Sequence, residues 1–308
     1  MKDIILIIPY FGQWPVWFDA FLSSVVKNPT IHWLCPTNCP IPKTHPENIT
    51  FLPTTLSTLN TKVNTIVSAN VPLTPRKFCD LKPAYGDIFY DEIRDYDYWG
   101  FCDLDIVWGD IRQFITPRVL DEYDIISSRK EAISGHFTLF RNTNYIQELY
   151  KKLPNYKTLF EHPKFQWTDE VALTNYLKNN QELKVYWPKI LCNQERGRDS
   201  HQDYYLDRWQ WQDGKMINTK TNKEVMYLHF INWKRTMRYC EVDYSNLPSH
   251  FFISYNGIHV KRHSSGHHVL NNIKNVFNGY WVKEKRRIRK LKLKSLIKRG
   301  KNKLRKVL

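Results

Sequence analysis

"YWGFCDLDIVWGD" occupies residues 98–110. Its first five residues are apolar without alternation, the pattern of a strand buried on both faces. The run ends in two aspartates, Asp103 and Asp105, and a second apolar run, Ile106-Val107-Trp108, follows. Residues i and i+2 of an extended chain face the same side. Both carboxylates are therefore expected to point into one place at the rim of a sheet. Left alone, they repel each other. A divalent cation relieves that repulsion, and hard oxygen donors favour Mg²⁺ or Mn²⁺, which keep positions open for phosphate oxygens. The pair reads as a cation site that holds a diphosphate; two aspartates capping the next turn is the competing reading. Asp95-Tyr96-Asp97 repeats the spacing ahead of the strand, where a solvated loop explains it.

Outward from this stretch the chain alternates. Residues 3–8 (DIILII) read as a buried first strand stopped by Pro9, with helical spacing over 15–27, strands at 31–35 and 49–53, and helices over 54–69 and 80–93. Downstream, 124–128 and 136–141 read as short strands and 142–152 and 168–180 as helices. Residues 207–232 look hairpin-like around the Asp213-Gly214 turn signal. Strands alternating with helices indicate an α/β fold with a mostly parallel sheet, in which ligands bind beyond the carboxyl ends of strands.

Charge is distributed unevenly. Residues 283–308 hold 14 of the 46 Lys and Arg and one of the 30 Asp and Glu, a net +13 that leaves +3 on residues 1–282. A basic tail on a near-neutral body argues for tethering and against a nucleic-acid-binding body. On a helix, Leu293, Leu296, Ile297, Gly300, Leu304, Val307 and Leu308 share a face among lysines and arginines, which suits an anionic membrane surface. A solvated or nucleic-acid-binding tail is the alternative. Six cysteines in 308 residues read as reduced thiols. Cys35 and Cys39 have the spacing of half a zinc site without a second pair. The N-terminal apolar run contains Asp3 and is cut by Pro9, so it reads as neither signal peptide nor membrane span.

In sequence order, IIPYFGQWPVWF (7–18), KFCDLKPAYGDIF (77–89), YWGFCDLDIVWGDI (98–111), SGHFTLFRN (134–142), WTDEVAL (167–173) and YLHFINWKR (227–235) resemble the bacterial GT-A-fold glycosyltransferases of capsule and lipopolysaccharide biosynthesis clusters, some of which are galactofuranosyltransferases. The resemblance implies a Rossmann-like nucleotide-binding mixed sheet flanked by helices. It implies one GT-A domain over 1–282, with a nucleotide-sugar half at about 1–130 and an acceptor half at about 131–282, followed by the basic helical tail at 283–308.

It also implies a nucleotide-sugar donor, usually a UDP-sugar, held through Mn²⁺ or Mg²⁺. Asp103 would lie near ribose and metal, Asp105 would be the principal metal ligand, and His229 would complete the site; a hydrogen-bonded core histidine is the alternative for His229. Pro9, Tyr10 and Phe11 would cradle base and ribose, unless the two rings only pack in the core. Lys82 and Lys234, with Arg235 beside it, would meet the diphosphate. Asp80 reads as a helix N-cap.

For an inverting reaction the resemblance implies a carboxylate base at a helix start after the metal site. Asp169 and Glu170 fit, Asp169 first, with Thr168 read as the N-cap, although acids in a first turn also simply suit the helix dipole. Many inverting relatives show the order Glu-Asp, and a retaining mechanism stays open if neither acid acts. Gly135 and His136 would approach donor sugar and acceptor, and Trp167 would pack on a sugar face. Trp209, Trp211, Tyr204 and Tyr205 suit either an acceptor groove or buried packing.

The expectation is a peripheral enzyme at the cytoplasmic face of the plasma membrane, acting on a glycan or lipid-linked acceptor. A nucleotidyltransferase using the same aspartates, or a nucleic-acid binder driven by the tail, are the rivals; no nucleic-acid partner is expected.

Overall fold

The computed structural model describes residues 1–187, 189, 191–193, 204–231, 233–280, 282, 285, 286, 289 and 293. Most of the basic tail, and so the amphipathic reading of 293–308, lies outside the described residues. The early apolar segments form β1 (Ile4–Ile7), β2 (Ile31–Thr37), β3 (Ile49–Pro53) and β4 (Tyr98–Cys102). β1 pairs in parallel with β2 on one side and β4 on the other, and β3 lies outside β2. The lack of alternation in β1 has a direct cause, because both its faces are covered. Ile4 and Leu6 join Phe18, Phe21 and Val25 of the Phe18–Val25 helix in one core, while Ile5 and Ile7 join Leu59, Val63 and Val67 of the Leu56–Val67 helix in another.

Next come β5 (Ile106–Trp108), β6 (Ile125–Ser127), β7 (Phe137–Arg141) and β8 (Val185–Tyr186). β7 runs antiparallel to β4 and β6, and β8 parallel to β6, giving the order β3-β2-β1-β4-β7-β6-β8. From β1 the chain passes to one side for β2 and β3, then crosses to the other for β4. Ligand crevices open beyond the carboxyl ends of strands at such a reversal. Residues 9–11 follow β1 there, and Asp103 follows β4.

A second sheet is built from β9 (Trp209–Gln212), β10 (Lys215–Asn218), β11 (Glu224–Val225), β13 (Tyr239–Cys240), β14 (His250–Ser254) and β15 (Gly257–His259). Asp213 and Gly214 turn β9 into β10 with φ of 46° and 87°, as their sequence indicates. The intervening β12 (Tyr227–His229) leaves this hairpin and pairs antiparallel with β5. Trp209 and Trp211 are buried in the second sheet's core, which is the packing alternative for these rings. The molecule is a mixed α/β fold of parallel and antiparallel strands flanked by helices.

Three helical expectations change in detail. Residues 80–93 are not one helix. A 3₁₀ stretch, Lys77–Ala84, contains Pro83, and two single turns, Tyr85–Ile88 and Tyr90–Ile93, follow. Proline has no N–H to donate and crowds the preceding turn. Residues 142–152 likewise divide into Asn144–Gln147 and a 3₁₀ turn, Leu149–Lys152. The helix over 168–180 opens as a π-helical turn, Thr168–Ala172, preceded by Trp167 and not capped by Thr168.

Candidate active site

Strand register assembles this site. Between β4 and β5 the chain bends, which buries Leu104 and brings Asp103 and Asp105 round to one side; the expected extended alternation is replaced by this bend. The β5–β12 ladder sets His229 opposite Ile106, and the N–H of Phe230 donates to the Asp105 carbonyl at 2.8 Å. His229 Nε2 consequently lies 3.4 Å from Asp105 Oδ2 and 4.0 Å from Asp103 Oδ2. The β4–β7 ladder pairs Cys102 with Phe137, so His136 and Gly135 come next to Asp103, whose N–H donates to the His136 carbonyl at 3.3 Å.

Two lysines hold the carboxylates. Lys82 Nζ donates to Asp103 Oδ1 at 2.6 Å and also to the Gly135 carbonyl. Lys234 Nζ donates to Asp105 Oδ2 at 2.8 Å. Burial alone would lower Lys82, but Asp103 beside it holds it well above the ordinary lysine value. Burial would raise Asp105, yet His229 and Lys234 outweigh it and keep this carboxyl well below the usual carboxylate range.

Asp103 Oδ, Asp105 Oδ and a His229 ring nitrogen lie within 4.8 Å of one another. Two hard carboxylate oxygens with one imidazole suit Mg²⁺ or Mn²⁺. Asp95 and Asp97 behave otherwise. Asp95 is exposed, and Asp97 accepts from the Asp3 N–H at the opposite end of β4. Cys35 and Cys39 are buried free thiols and belong to no metal-competent group among the described residues.

Two adjoining cavities make one cleft around these groups, sharing Arg76, Cys79, Lys82, Asp103 and Lys234. One arm is lined by Pro9, Tyr10, Phe11, Trp17 and Phe78 and takes in Asp105. Tyr10 is stacked on Trp14, and Phe11 meets Phe78 edge-on, so both rings pack and also face the cleft. The other arm is lined by Gly135, His136, Trp167, Asp169, Glu170 and Arg129. His136 is buried, its Nδ1 2.7 Å from the Tyr227 hydroxyl.

The two acids of the second arm differ. Glu170 Oε1 accepts from Arg129 at 3.2 Å and from the Gly135 N–H at 3.1 Å. Asp169 is 3% exposed, and its Oδ1 has no hydrogen-bond partner among the described residues. Burial, joined by Glu170 and Asp103 and opposed by Lys82, pushes its carboxyl up to about 7. A side chain at position 135 would put Cβ 2.7 Å from Asp169 Oδ2, so only glycine lets this loop approach.

Asp80 is no N-cap. It lies inside the 3₁₀ stretch, fully buried, paired with Lys77 at 2.9 Å. Its two oxygens accept from the N–H groups of Gln166 and Thr168. Those bonds hold Trp167 in the left-handed region, φ 55°, with its ring half exposed at the cleft mouth. Such strain persists where the surroundings over-determine it, and it clusters at functional sites. Arg235 shares the Trp233–Arg235 turn with Lys234 but does not line the cleft. Arg76 and Arg129 were not singled out from sequence, although Arg76 directly precedes the KFCDLK string.

Comparison with known proteins gives limited similarity to solved structures. The glycosyltransferase GlyE of Streptococcus pneumoniae TIGR4, in its apo form, aligns at 9% identity over 60% of this chain and 45% of that one, with a TM-score of 0.34. A galactosyltransferase, LgtC, solved with donor and acceptor sugar analogs, aligns at 13% identity over 59% and 72%, with a TM-score of 0.34. The match thus spans under half the length of GlyE. No curated protein matches the chain. The model of a family of unknown function, DUF6625, matches residues 6–262, and the chain belongs to that family.

Proposed function

We propose that the protein is a metal-dependent glycosyltransferase that moves a sugar from a nucleotide-sugar, a UDP-sugar, to a glycan or lipid-linked acceptor in surface polysaccharide synthesis, with inversion. One observation carries the reading. A two-carboxylate, one-imidazole donor set at the sheet's reversal point shares a single cleft with a buried carboxylate poised near neutrality.

In this reading the arm of Pro9, Tyr10 and Phe11 receives base and ribose, and Asp103, Asp105 and His229 hold the cation. When bound, Mn²⁺ or Mg²⁺ supplies positive charge to the departing diphosphate. Lys82, Lys234 and Arg76 border the same stretch of cleft and offset that charge as it develops. Trp167 gives the acceptor sugar a stacking face, and His136 and Gly135 border the transferred sugar.

Asp169 takes the proton of the acceptor hydroxyl. The freed oxygen bonds to the anomeric carbon, and the anomeric carbon–phosphate oxygen bond breaks with its electron pair leaving on UDP. A base that titrates near pH 7 is matched to this task. Glu170, tied to Arg129 and Gly135, positions the loop.

The halves at about 1–130 and 131–282 then serve donor and acceptor, with β12 returning His229 and Lys234 to the donor side. The enzyme works at the inner face of the plasma membrane. The Ser265–Phe277 helix supports this placement. It docks inward through Asn271 and Asn275, which donate to the Tyr204 carbonyl, and turns Val269, Leu270, Ile273, Val276 and Phe277 outward. An apolar stripe running toward a +13 tail fits an anionic lipid surface. No helix among the described residues is long and apolar enough to cross a membrane.

Incubating the chain with a panel of nucleotide sugars and, separately, with nucleoside triphosphates and sugar phosphates, with and without Mn²⁺, tests the reading. Release of UDP that requires the metal is expected. Release of pyrophosphate from a nucleoside triphosphate would instead identify a nucleotidyltransferase.

A further inference from the structure

A second donor set lies outside the cleft, where the second sheet meets the Ser265–Phe277 helix. Asp207 stands just before β9, its side chain 1% exposed and its backbone left-handed at φ 50°. Its N–H donates to Ser254 Oγ at 2.8 Å and its carbonyl accepts from Thr219, so the carboxylate is fixed in place. His259 ends β15, His263 directly precedes Ser264, the helix N-cap, and His268 lies in the first turn of the helix. Asp207 Oδ1 lies 2.6 Å from His259 Nε2 and 2.7 Å from His263 Nδ1, and Oδ2 lies 3.1 Å from His268 Nε2.

Three imidazoles from a strand end and a helix start thus aim ring nitrogens at one buried carboxylate. A dipositive ion with three neutral imidazoles and one carboxylate leaves a single positive charge and gives every donor a direct bond. The order His-x₃-His-x₄-His over 259–268 has spacings common among zinc ligands. Tetrahedral Zn²⁺, with bonds of about 2.0–2.1 Å, separates its donors by roughly 3.3 Å, so the contacts of Asp207 Oδ1 with His259 and His263 open by under about 1 Å, while His268, now on Oδ2, swings inward to join them. The nitrogen-rich set also differs from the oxygen-rich one at Asp103 and Asp105, and imidazole suits zinc where carboxylates suit magnesium or manganese.

We infer that Asp207, His259, His263 and His268 form a structural Zn²⁺ site that staples the second sheet to the Ser265–Phe277 helix. Asp207, His259 and His263 already bring donor atoms within 4.8 Å of one another, and His268 supplies the fourth position. The site does not depend on the chemistry of the cleft, since none of its four residues lines it.

Elemental analysis of the full chain, purified without chelator and dialysed, tests this inference. One equivalent of Zn²⁺ is expected in the wild type and in Asp105→Ala, which removes the competing site, with loss of the ion in His263→Gln and His268→Gln. Stripping zinc should lower Tm in the wild type and leave it unchanged in the two histidine variants. Titration of the stripped Asp105→Ala chain with Zn²⁺ should restore Tm, and Co²⁺ loading should give a tetrahedral visible spectrum. That titration decides the matter even if a histidine variant fails to fold. A stripped chain whose Tm ignores added Zn²⁺, or histidine variants that retain the ion like the wild type, would overturn the assignment.

Discussion

Asp169 and Glu170 are adjacent in the chain, yet their surroundings differ sharply. Glu170 has a guanidinium and a backbone N–H on one oxygen, whereas Asp169 is buried with one oxygen unpartnered among the described residues. Replacing Asp169 by Asn should cut turnover by about 10²–10⁴-fold, the usual contribution of a general base, with UDP affinity nearly unchanged. Steady-state kinetics beside UDP titration reads both. Wild-type kcat/KM should rise with pH through about 7 as this carboxyl ionises, and Asp169→Asn should lose that limb. Stability should move the other way. The native state holds this proton more tightly than an unfolded aspartate near 3.9 does, so the stabilisation is complete below about pH 4 and disappears as pH rises through about 7. Asp169→Asn should therefore melt above the wild type at pH 8, by calorimetry. Glu170→Gln should lower turnover less and shift the loop instead. The residue types were legible: paired acids after an apolar run and a second acidic pair at a helix start. What separates Asp169 from Glu170 was not, because it is set by burial and by Arg129, some forty residues distant. Asp80 misled for a similar reason, since its partners at 166 and 168 are far along the chain.

At the scale of elements, strands read well where both faces are covered and helices read poorly where local chemistry interrupts them. β1 to β4 follow the apolar runs closely, while Pro83 turns an expected long helix into a 3₁₀ stretch and two short turns. That interruption has a use. The 3₁₀ stretch presents Lys82 to Asp103, and its buried Asp80 grips the 166–168 loop. Asp80→Ala leaves Lys77 buried without its carboxylate, and breaking such a pair costs about 3–5 kcal/mol. Denaturant unfolding should show that loss, and in whatever folded protein remains, KM for the acceptor should rise more than KM for the donor as Trp167 is released. An unchanged midpoint would remove Asp80 from this role. The β5–β12 ladder was invisible in sequence because strand pairing across about 120 residues leaves no local pattern, although His229 was picked out by its position in YLHFINWKR.

For the molecule as a whole, charge segregation was plain from the sequence, but the second sheet beyond β10 and the helix that follows were not. Short strands with broken alternation give little signal, and that helix is polar inside and apolar outside, the reverse of a core-facing pattern. Removal of residues 283–308 should abolish sedimentation with anionic vesicles and leave UDP-sugar hydrolysis intact. Substituting Phe277, 85% exposed, by Ser in the full chain should weaken vesicle binding without touching hydrolysis. Binding to zwitterionic vesicles equal to that on anionic ones would argue against the basic tail as the tether. All of this presumes that the paired aspartates hold a cation beneath a nucleoside diphosphate, and isothermal titration of UDP into the full chain tests that most directly. The expected result is binding that needs Mn²⁺ or Mg²⁺ and vanishes in Asp105→Ala. UDP binding that is indifferent both to chelator and to Asp105→Ala would contradict it.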